Sequence, residues 1–394
     1  MTDTNIKRSY YLFTLLHILP LSLVFTTYVI FLQENNMTST QIGWIGAVFM
    51  ITMFLFEIPT GIVADIFGRK ASIVIGNILI IFGPVIYYCT DTFAWFVIAE
   101  ASLGLGACFT SGAIDAWLKD SLDQNGNSHN LTDIMSNREI FFRVSLIIGG
   151  VTGSLIAIYD TRIVWLITAI LQTIGSILVF VIIQEKYFKR QTITWKTAFT
   201  QIKNIAVDSF TFGIKNEKIF FLIIAFSIFS FACQPLNYLW APSAKEHLGV
   251  ASLSYLWIIM NIFMATGAVI TKKISSKRFT DVKIMTIGTT VASLSIIIGS
   301  LFGNMIIIFS GLMINELGRG MYIPANNSFL QNNIPSSKRA TISSFMSMMG
   351  KFGCAAGWLL AGIAHEYLSF TTIWVISGFF YLTVVVFLLK IKKT

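Results

Sequence analysis

The chain is a succession of apolar runs, each roughly 20 residues long and bounded by short polar stretches. The runs fall at 11–32, 41–63, 71–89, 93–117, 138–158, 162–183, 218–240, 251–273, 282–302, 305–329, 340–364 and 370–389. A hydrocarbon core about 30 Å thick takes roughly 20 apolar residues per helix. Inside it only helices and closed barrels satisfy their own backbone. Runs of this length therefore predict an all-α membrane protein of twelve transmembrane helices. Composition agrees, because only 12% of the 394 residues are charged, against roughly 25% in an average soluble domain. Such a chain cannot wet a surface of its own, so its principal partner is the lipid bilayer. The first run has no small-residue cleavage site and is long enough to span, which predicts a retained first helix rather than a signal peptide.

Six runs precede a polar segment and six follow it. The expected organisation is an N-terminal six-helix bundle over 1–183, a linker over 184–217 and a C-terminal six-helix bundle over 218–394. The linker carries Lys186, Lys189, Arg190, Lys196, Lys203 and Lys215, with Trp195, Phe199 and Ile202 spaced for a weakly amphipathic surface helix. If the N-terminus lies inside, 23 of the 28 Lys and Arg residues fall on that side and only Arg162 and Lys245 on the other. This asymmetry places both termini in the cytoplasm. The formal charge of +9 is thereby assigned to topology rather than to nucleic acid.

Trp44, Trp95, Trp165, Trp240 and Trp374 lie near run ends, where amphipathic rings favour the membrane interface. Cys89, Cys108, Cys233 and Cys354 show no paired spacing and read as packing residues, not as metal ligands or disulfides. The two halves share weak internal similarity: Glu100 and Glu316, Gly104 and Gly320, and Asp65 and Asp281 are each 216 residues apart.

The most specific motif follows the second run. After Phe56-Glu57-Ile58-Pro59-Thr60 comes Gly61-Ile-Val-Ala-Asp65-Ile-Phe-Gly68-Arg69-Lys70, read as a short cytoplasmic loop. A turn so short requires glycines for close helix approach and unusual dihedrals, an acid to pair or cap a neighbouring helix, and cations held on one side. This segment resembles the signature loop of the major facilitator superfamily. The resemblance implies a twelve-helix transporter of two bundles, working as a monomer, in which Gly61, Asp65, Gly68, Arg69 and Lys70 form a conformational latch. It also implies that helices one, four, seven and ten line a central cavity. The Phe-Glu-Ile-Pro-Thr-Gly segment with the full loop is similar to drug-efflux members. The exporters' glycine-proline motif is not matched, since span five offers Gly149-Gly150-Val-Thr-Gly153 without proline, and Glu100 stands before Gly104 where an arginine is common.

Ionisable residues within spans are costly and are functional candidates by default. Glu100 and Glu316 fall on helices four and ten and are candidates to carry a coupled proton, with Glu57 and Asp115 as further candidates. A carboxyl in low dielectric exchanges its proton when a cation or substrate approaches. Their charge partners are drawn from Arg143, Arg319 and Lys351: Glu316 pairs with Arg319 or Lys351, and Asp115 pairs with Arg143 unless Glu139 takes it within its own helix. Polar or aromatic cavity candidates are His17, Tyr28, Phe109, Gln234, Asn237, Trp240, Asn261, Tyr322 and Asn326, with Phe25, Phe231, Tyr238, Asn327 and Gln331 as further ones.

No nucleotide-binding loop of the Gly-x-x-x-x-Gly-Lys-Ser/Thr type is present, and His17, His129, His247 and His365 are scattered. The expected function is therefore secondary active transport, neither ATP-driven nor enzymatic. The proton gradient stands in place of a cofactor, and no metal is required. The expected activity is antiport of protons against a drug-like or amphiphilic small molecule across a bacterial plasma membrane, as in multidrug efflux and antibiotic resistance. Proton-coupled uptake of a small nutrient is the alternative in the same fold. A membrane receptor or membrane enzyme is the alternative from another class.

Overall fold

A computed structural model describes residues 3–125, 131–185, 216–275, 279–302, 304–335 and 338–393. The linker and its amphipathic segment therefore lie almost wholly outside the described residues. Thirteen helices are present among those described, with no strand. In chain order they are α1 Asp3–Ser22, α2 Tyr28–Glu34, α3 Ser39–Phe67, α4 Arg69–Cys89, α5 Phe93–Gln124, α6 Leu131–Ile156, α7 Thr161–Ile182, α8 Glu217–Leu248, α9 Ser252–Ser275, α10 Asp281–Leu301, α11 Met305–Asn333, α12 Arg339–His365 and α13 Phe370–Lys393.

Among the described residues, ten helices are long and apolar enough to cross a membrane, namely all but α1, α2 and α12. The predicted first span is broken in two. Pro20 removes a backbone donor, and the chain tightens to i→i−3 hydrogen bonds at Leu23, Val24 and Phe25 before helix resumes at Tyr28. In α12, Ser343, Ser344, Ser347 and Lys351 dilute the apolar run. Elsewhere helix outlasts hydropathy: α5 continues to Gln124 and α8 to Leu248, beyond the run ends at 117 and 240.

The chain divides into two compact units, one made of Met1–Met37, Leu55–Thr200 and Val250–Ser254, the other of Thr38–Phe54, Gln201–Gly249 and Tyr255–Thr394. In the first unit Ile6, Tyr10, Phe13, Ile73, Ile114 and Trp117 form a buried cluster between α1, α4 and α5. In the second, Phe229 stacks on Tyr322 at 3.9 Å and Trp374 donates to the Pro235 carbonyl at 3.3 Å. Trp165, Trp240 and Trp374 are buried within their units, so only Trp44 and Trp95 of the five predicted interface tryptophans are exposed. The indole areas went to helix packing instead of to the membrane boundary.

Glycine pairs set two helix crossings. A Cβ on Gly76 of α4 would lie 2.7 Å from the Gly106 carbonyl oxygen of α5, and a Cβ on Gly288 of α10 would lie 2.7 Å from the Gly318 carbonyl oxygen of α11. Small residues at such crossings let backbones approach where lipid offers no hydrophobic drive. These pairs also give the internal repeat its register. Gly76 and Gly288, Gly106 and Gly318, the first residues of α4 and α10, and the first residues of α5 and α11 are all 212 positions apart. The spacing of 216 read from Glu100 and Glu316 is thus about one helical turn out of register, and the two carboxyls are not equivalent positions.

Gly76→Ala and Gly318→Ala should each destabilise the protein by about 1–3 kcal/mol, the usual cost of overpacking. Gly61→Ala, whose Cβ would meet open space, should be neutral or stabilising by up to about 1 kcal/mol. Thermal unfolding of the purified variants in detergent checks this, and equal stabilities for all three would refute the packing assignment.

Candidate functional site

The motif predicted as a loop is almost entirely helical. α3 runs through Gly61 and Asp65 to Phe67, and α4 begins at Arg69. Gly68 alone makes the connection, with φ 104° and ψ 154°, a conformation that glycine adopts at least cost. A Cβ added to Gly61 would meet no atom within 4 Å, so this glycine is not there for close helix approach. Arg69 pairs with Asp65 at 2.5 Å and with Asp120 of α5 at 3.5 Å. Of the two tasks open to the acid, Asp65 takes the pairing, and the cap comes from Glu185, whose carboxylate accepts the backbone N–H groups of Arg69 at 2.8 Å and Lys70 at 3.0 Å. An anion at this position also complements the helix dipole. Gln184 is fixed beside it by the Trp117 indole, 3.0 Å from its carbonyl oxygen, and the Lys70 ammonium lies 4.4 Å from the Phe180 ring. Glu57 is half-buried on α3.

Toward the opposite end of the first unit, Glu100 of α5 is buried. The Tyr87 hydroxyl of α4 donates to its carboxyl at 2.7 Å, and the Tyr28 hydroxyl oxygen of α2 lies 3.5 Å from that of Tyr87. Tyr87 is sandwiched between Trp165 at 4.0 Å and Phe96 at 4.8 Å, with Phe31 packed edge-on. Deeper in the unit, His17 Nδ1 lies 3.3 Å from Asn77 Oδ1, and the His17 ring stacks on Phe13. Asp115 accepts from the Tyr10 hydroxyl at 2.7 Å and lies 3.5 Å from Arg138, which also covers the Tyr10 ring at 5.6 Å.

The predicted Asp115–Arg143 pair is therefore replaced. Arg138 and Arg143, five residues apart on α6, lie about 140° apart around a helix of 3.6 residues per turn. Arg138 faces Asp115, whereas Arg143 lies over Phe142 at 5.9 Å. Phe109, also predicted to line the cavity, is half-buried, and its carbonyl accepts from Ser72 at 2.7 Å.

In the second unit Glu316 and Arg319 form an ion pair along α11. Arg319 also donates to Asn237 at 3.1 Å, Asn237 to Gln234 at 3.3 Å, and Gln234 to the Cys354 sulfur at 3.1 Å. Tyr322 and Asn326 are buried on the same helix. Two other candidates are committed to packing: Trp240 stacks on Trp257 at 5.9 Å, and Asn261 donates to the Trp257 carbonyl at 2.9 Å. Lys351 is half-buried on α12. Phe25, Asn327 and Gln331 are exposed, Phe231 packs on Phe380 at 4.7 Å, and Tyr238 is buried 3.5 Å from the Ser39 carbonyl.

The family profile of the Major Facilitator Superfamily matches residues 10–357. The chain belongs to this superfamily. An uncharacterised superfamily-type transporter of Methanocaldococcus jannaschii is 20% identical over 373 residues, 92% of each chain. An uncharacterised transporter of Buchnera aphidicola is 26% identical over 253 residues, a match spanning 63% of this chain but only 59% of that relative. Another superfamily-type transporter, YxaM of Bacillus subtilis, is 22% identical and matched over 62% of its length. Among solved structures, the nucleoside transporter NupG superposes with a TM-score of 0.81 at 16% identity, covering 99% of this chain and 100% of the other. A bacterial homologue of the iron transporter ferroportin gives a TM-score of 0.76 at 14% identity, with both chains covered completely. These likenesses establish the fold.

Within this superfamily member the glycines of span five have a packing task despite the missing proline. A Cβ on Gly149 would lie 2.9 Å from the Leu19 carbonyl oxygen, and the Thr26 hydroxyl donates to the Gly150 carbonyl at 3.2 Å. They seat α6 against the broken first helix. Sequence reasoning missed Tyr10, Asn77, Tyr87, Asp120, Arg138 and Glu185. Each becomes a partner through contacts beyond its own helix, from 13 residues away for Tyr87 and Glu100 to 116 for Arg69 and Glu185, which no local spacing encodes. A double-mutant cycle on Asp115 and Arg138 should give a coupling of about 0.5–3 kcal/mol in unfolding free energy. The same cycle on Asp115 and Arg143 should give essentially none, and the reverse ranking would restore the Asp115–Arg143 pairing.

Proposed function

We propose that the chain is a secondary active transporter of the bacterial plasma membrane, moving a small molecule by alternating access and coupled to protons. In this reading it has twelve spans, with α1 and α2 sharing the first and α12 forming the eleventh, and both termini are cytoplasmic. The two six-helix bundles at 1–183 and 218–394 act as a monomer. The observation that carries coupling is the burial of Glu100 and Glu316 inside helices that are otherwise largely apolar. A buried carboxyl requires a counter-charge or a proton. Glu316 has Arg319 as its counter-charge, whereas the partners of Glu100 are the hydroxyls of Tyr87 and Tyr28. Glu100 is accordingly the leading proton carrier. Glu316–Arg319 is an ion pair that cargo can disturb.

The cargo proposed is drug-like or amphiphilic and the direction export, supported by the aromatic character of the helices and by the Phe-Glu-Ile-Pro-Thr-Gly segment. Proton-coupled uptake of a polar nutrient is the second reading, favoured by the string Glu316, Arg319, Asn237 and Gln234 in the second unit. The Gly68 turn, with Asp65, Arg69 and Lys70, is assigned to switching between conformations, not to cargo.

Three measurements test this. A panel of fluorescent amphiphiles in energised inverted vesicles should accumulate inside and be released by an uncoupler. Accumulation in right-side-out vesicles alone would favour uptake. Glu100→Gln should abolish proton-driven transport while leaving folded protein, and unchanged transport would remove Glu100 from the coupling mechanism. Asp65→Asn should shift the labelling of reporter cysteines toward one conformation, and an unaltered pattern would count against the latch.

A further inference from the structure

We propose that Tyr28 and Tyr87 form a hydroxyl relay that delivers the proton to Glu100. The inference rests on Glu100 as the proton carrier and adds the route by which the proton arrives.

Glu100 sits one to two turns from the start of α5, and Tyr87 two residues from the end of α4. These ends lie opposite the Gly68 turn in the same unit, which the orientation proposed above makes the outer side. Glu100 is buried, with the Tyr87 ring beside its carboxyl. Its way out is polar at each step: 2.7 Å to the Tyr87 hydroxyl, then 3.5 Å to that of Tyr28, which is half-buried and also neighbours the carboxyl itself. Both separations are within reach of a hydrogen bond, the second at its limit.

The faces of the Tyr87 ring are not open to a bound organic cation. Tyr87 stacks on Trp165 at 4.0 Å and on Phe96 at 4.8 Å, so the cluster is filled by its own side chains. A proton needs no such space. Among the described residues the buried Trp165 indole N–H has no partner, which leaves a donor within the cluster that a single water can use.

The transfer balances without any other reactant. Tyr87 passes its hydroxyl proton to Glu100, Tyr28 passes its own to Tyr87, and a hydronium ion at the outer end restores the proton of Tyr28 and leaves as water. One proton is delivered, and each hydroxyl ends with the hydrogen its neighbour gave. The charged groups around the cluster are Arg162, whose guanidinium lies 5.8 Å from the Phe31 ring and donates to Asn35 at 2.6 Å, and Glu34, which accepts from Thr161. Both lie at the rim of the cluster.

The test needs no cargo. Purified protein in unbuffered detergent solution is dropped from mildly alkaline to mildly acidic pH, and proton uptake is followed by the pyranine dye in stopped flow. Glu100→Gln should lose one proton of uptake. Tyr87→Phe and Tyr28→Phe should keep the full stoichiometry and slow that phase by roughly tenfold or more. A tyrosine that served packing alone would alter stability and leave the rate unchanged, so thermal unfolding is measured alongside. Unchanged uptake rates in folded Tyr87→Phe and Tyr28→Phe, with the proton still lost in Glu100→Gln, would overturn the relay and leave Glu100 as carrier. Unchanged uptake in Glu100→Gln would overturn both. Should Tyr87→Phe not fold, Tyr28→Phe decides the matter, because Tyr28 is half-buried at the edge of the cluster and loses only its hydroxyl.

Discussion

A charge within an apolar helix must find a partner inside its own bundle, and this constraint organises the polar interior of both units. In low dielectric a buried ionisable side chain needs an ion pair, a hydroxyl or an amide to offset its desolvation. The solutions differ between the units. In the first, Asp115 collects Tyr10 and Arg138 while Glu100 takes Tyr87. In the second, Glu316 and Arg319 neutralise each other and pass hydrogen bonds to Asn237 and Gln234. These few arrangements tie α1, α4, α5 and α6 together in the first unit and α8 to α11 in the second.

That difference matters more because α4–α5 and α10–α11 share one register. With α4–α5 and α10–α11 aligned by their glycine crossings, Glu100 corresponds to Leu312, and Glu316 corresponds to Gly104. Each unit has therefore placed its carboxyl on a different turn of an equivalent helix. A duplicated scaffold thus carries two distinct electrostatic devices. One carboxyl is held by a neutral donor, the other is clamped to a cation.

The fold was legible because it is dictated by lengths. Runs of about twenty apolar residues and the turns between them follow from bilayer thickness, and most helices begin within a few residues of the expected places. The turn after the second run was legible as well, but as a loop of several residues; that Gly68 alone makes the connection was not. What hydropathy could not give was the depth to which helices continue past the apolar run, as α5 does to Gln124. Nor could it give the break after Pro20, because proline is often tolerated within membrane helices when neighbours satisfy the freed carbonyls. The site was less legible than the fold. Glu100 and Glu316 stand out in any apolar run, but whether a carboxyl meets Tyr87 or an arginine depends on helix rotation, which a single sequence records weakly.

The Gly68 turn shows how these levels combine. From the sequence its cations and its acid read as a conformational latch, the acid pairing or capping a neighbouring helix. In the fold, Arg69 is shared between Asp65 and Asp120, and the free N–H groups of α4 are taken by Glu185. Gln184 and Glu185 open the segment that joins the two halves in sequence, and Gln184 is held by Trp117. The start of that segment is thus bonded to the same turn that holds α3 and α4 together. Any rearrangement that frees Arg69 from Asp120 also changes the electrostatic field at the helix end that Glu185 caps. The motif and the start of the connecting segment are consequently one mechanical element, although 116 positions separate Arg69 from Glu185 along the chain and no local pattern hints at their contact.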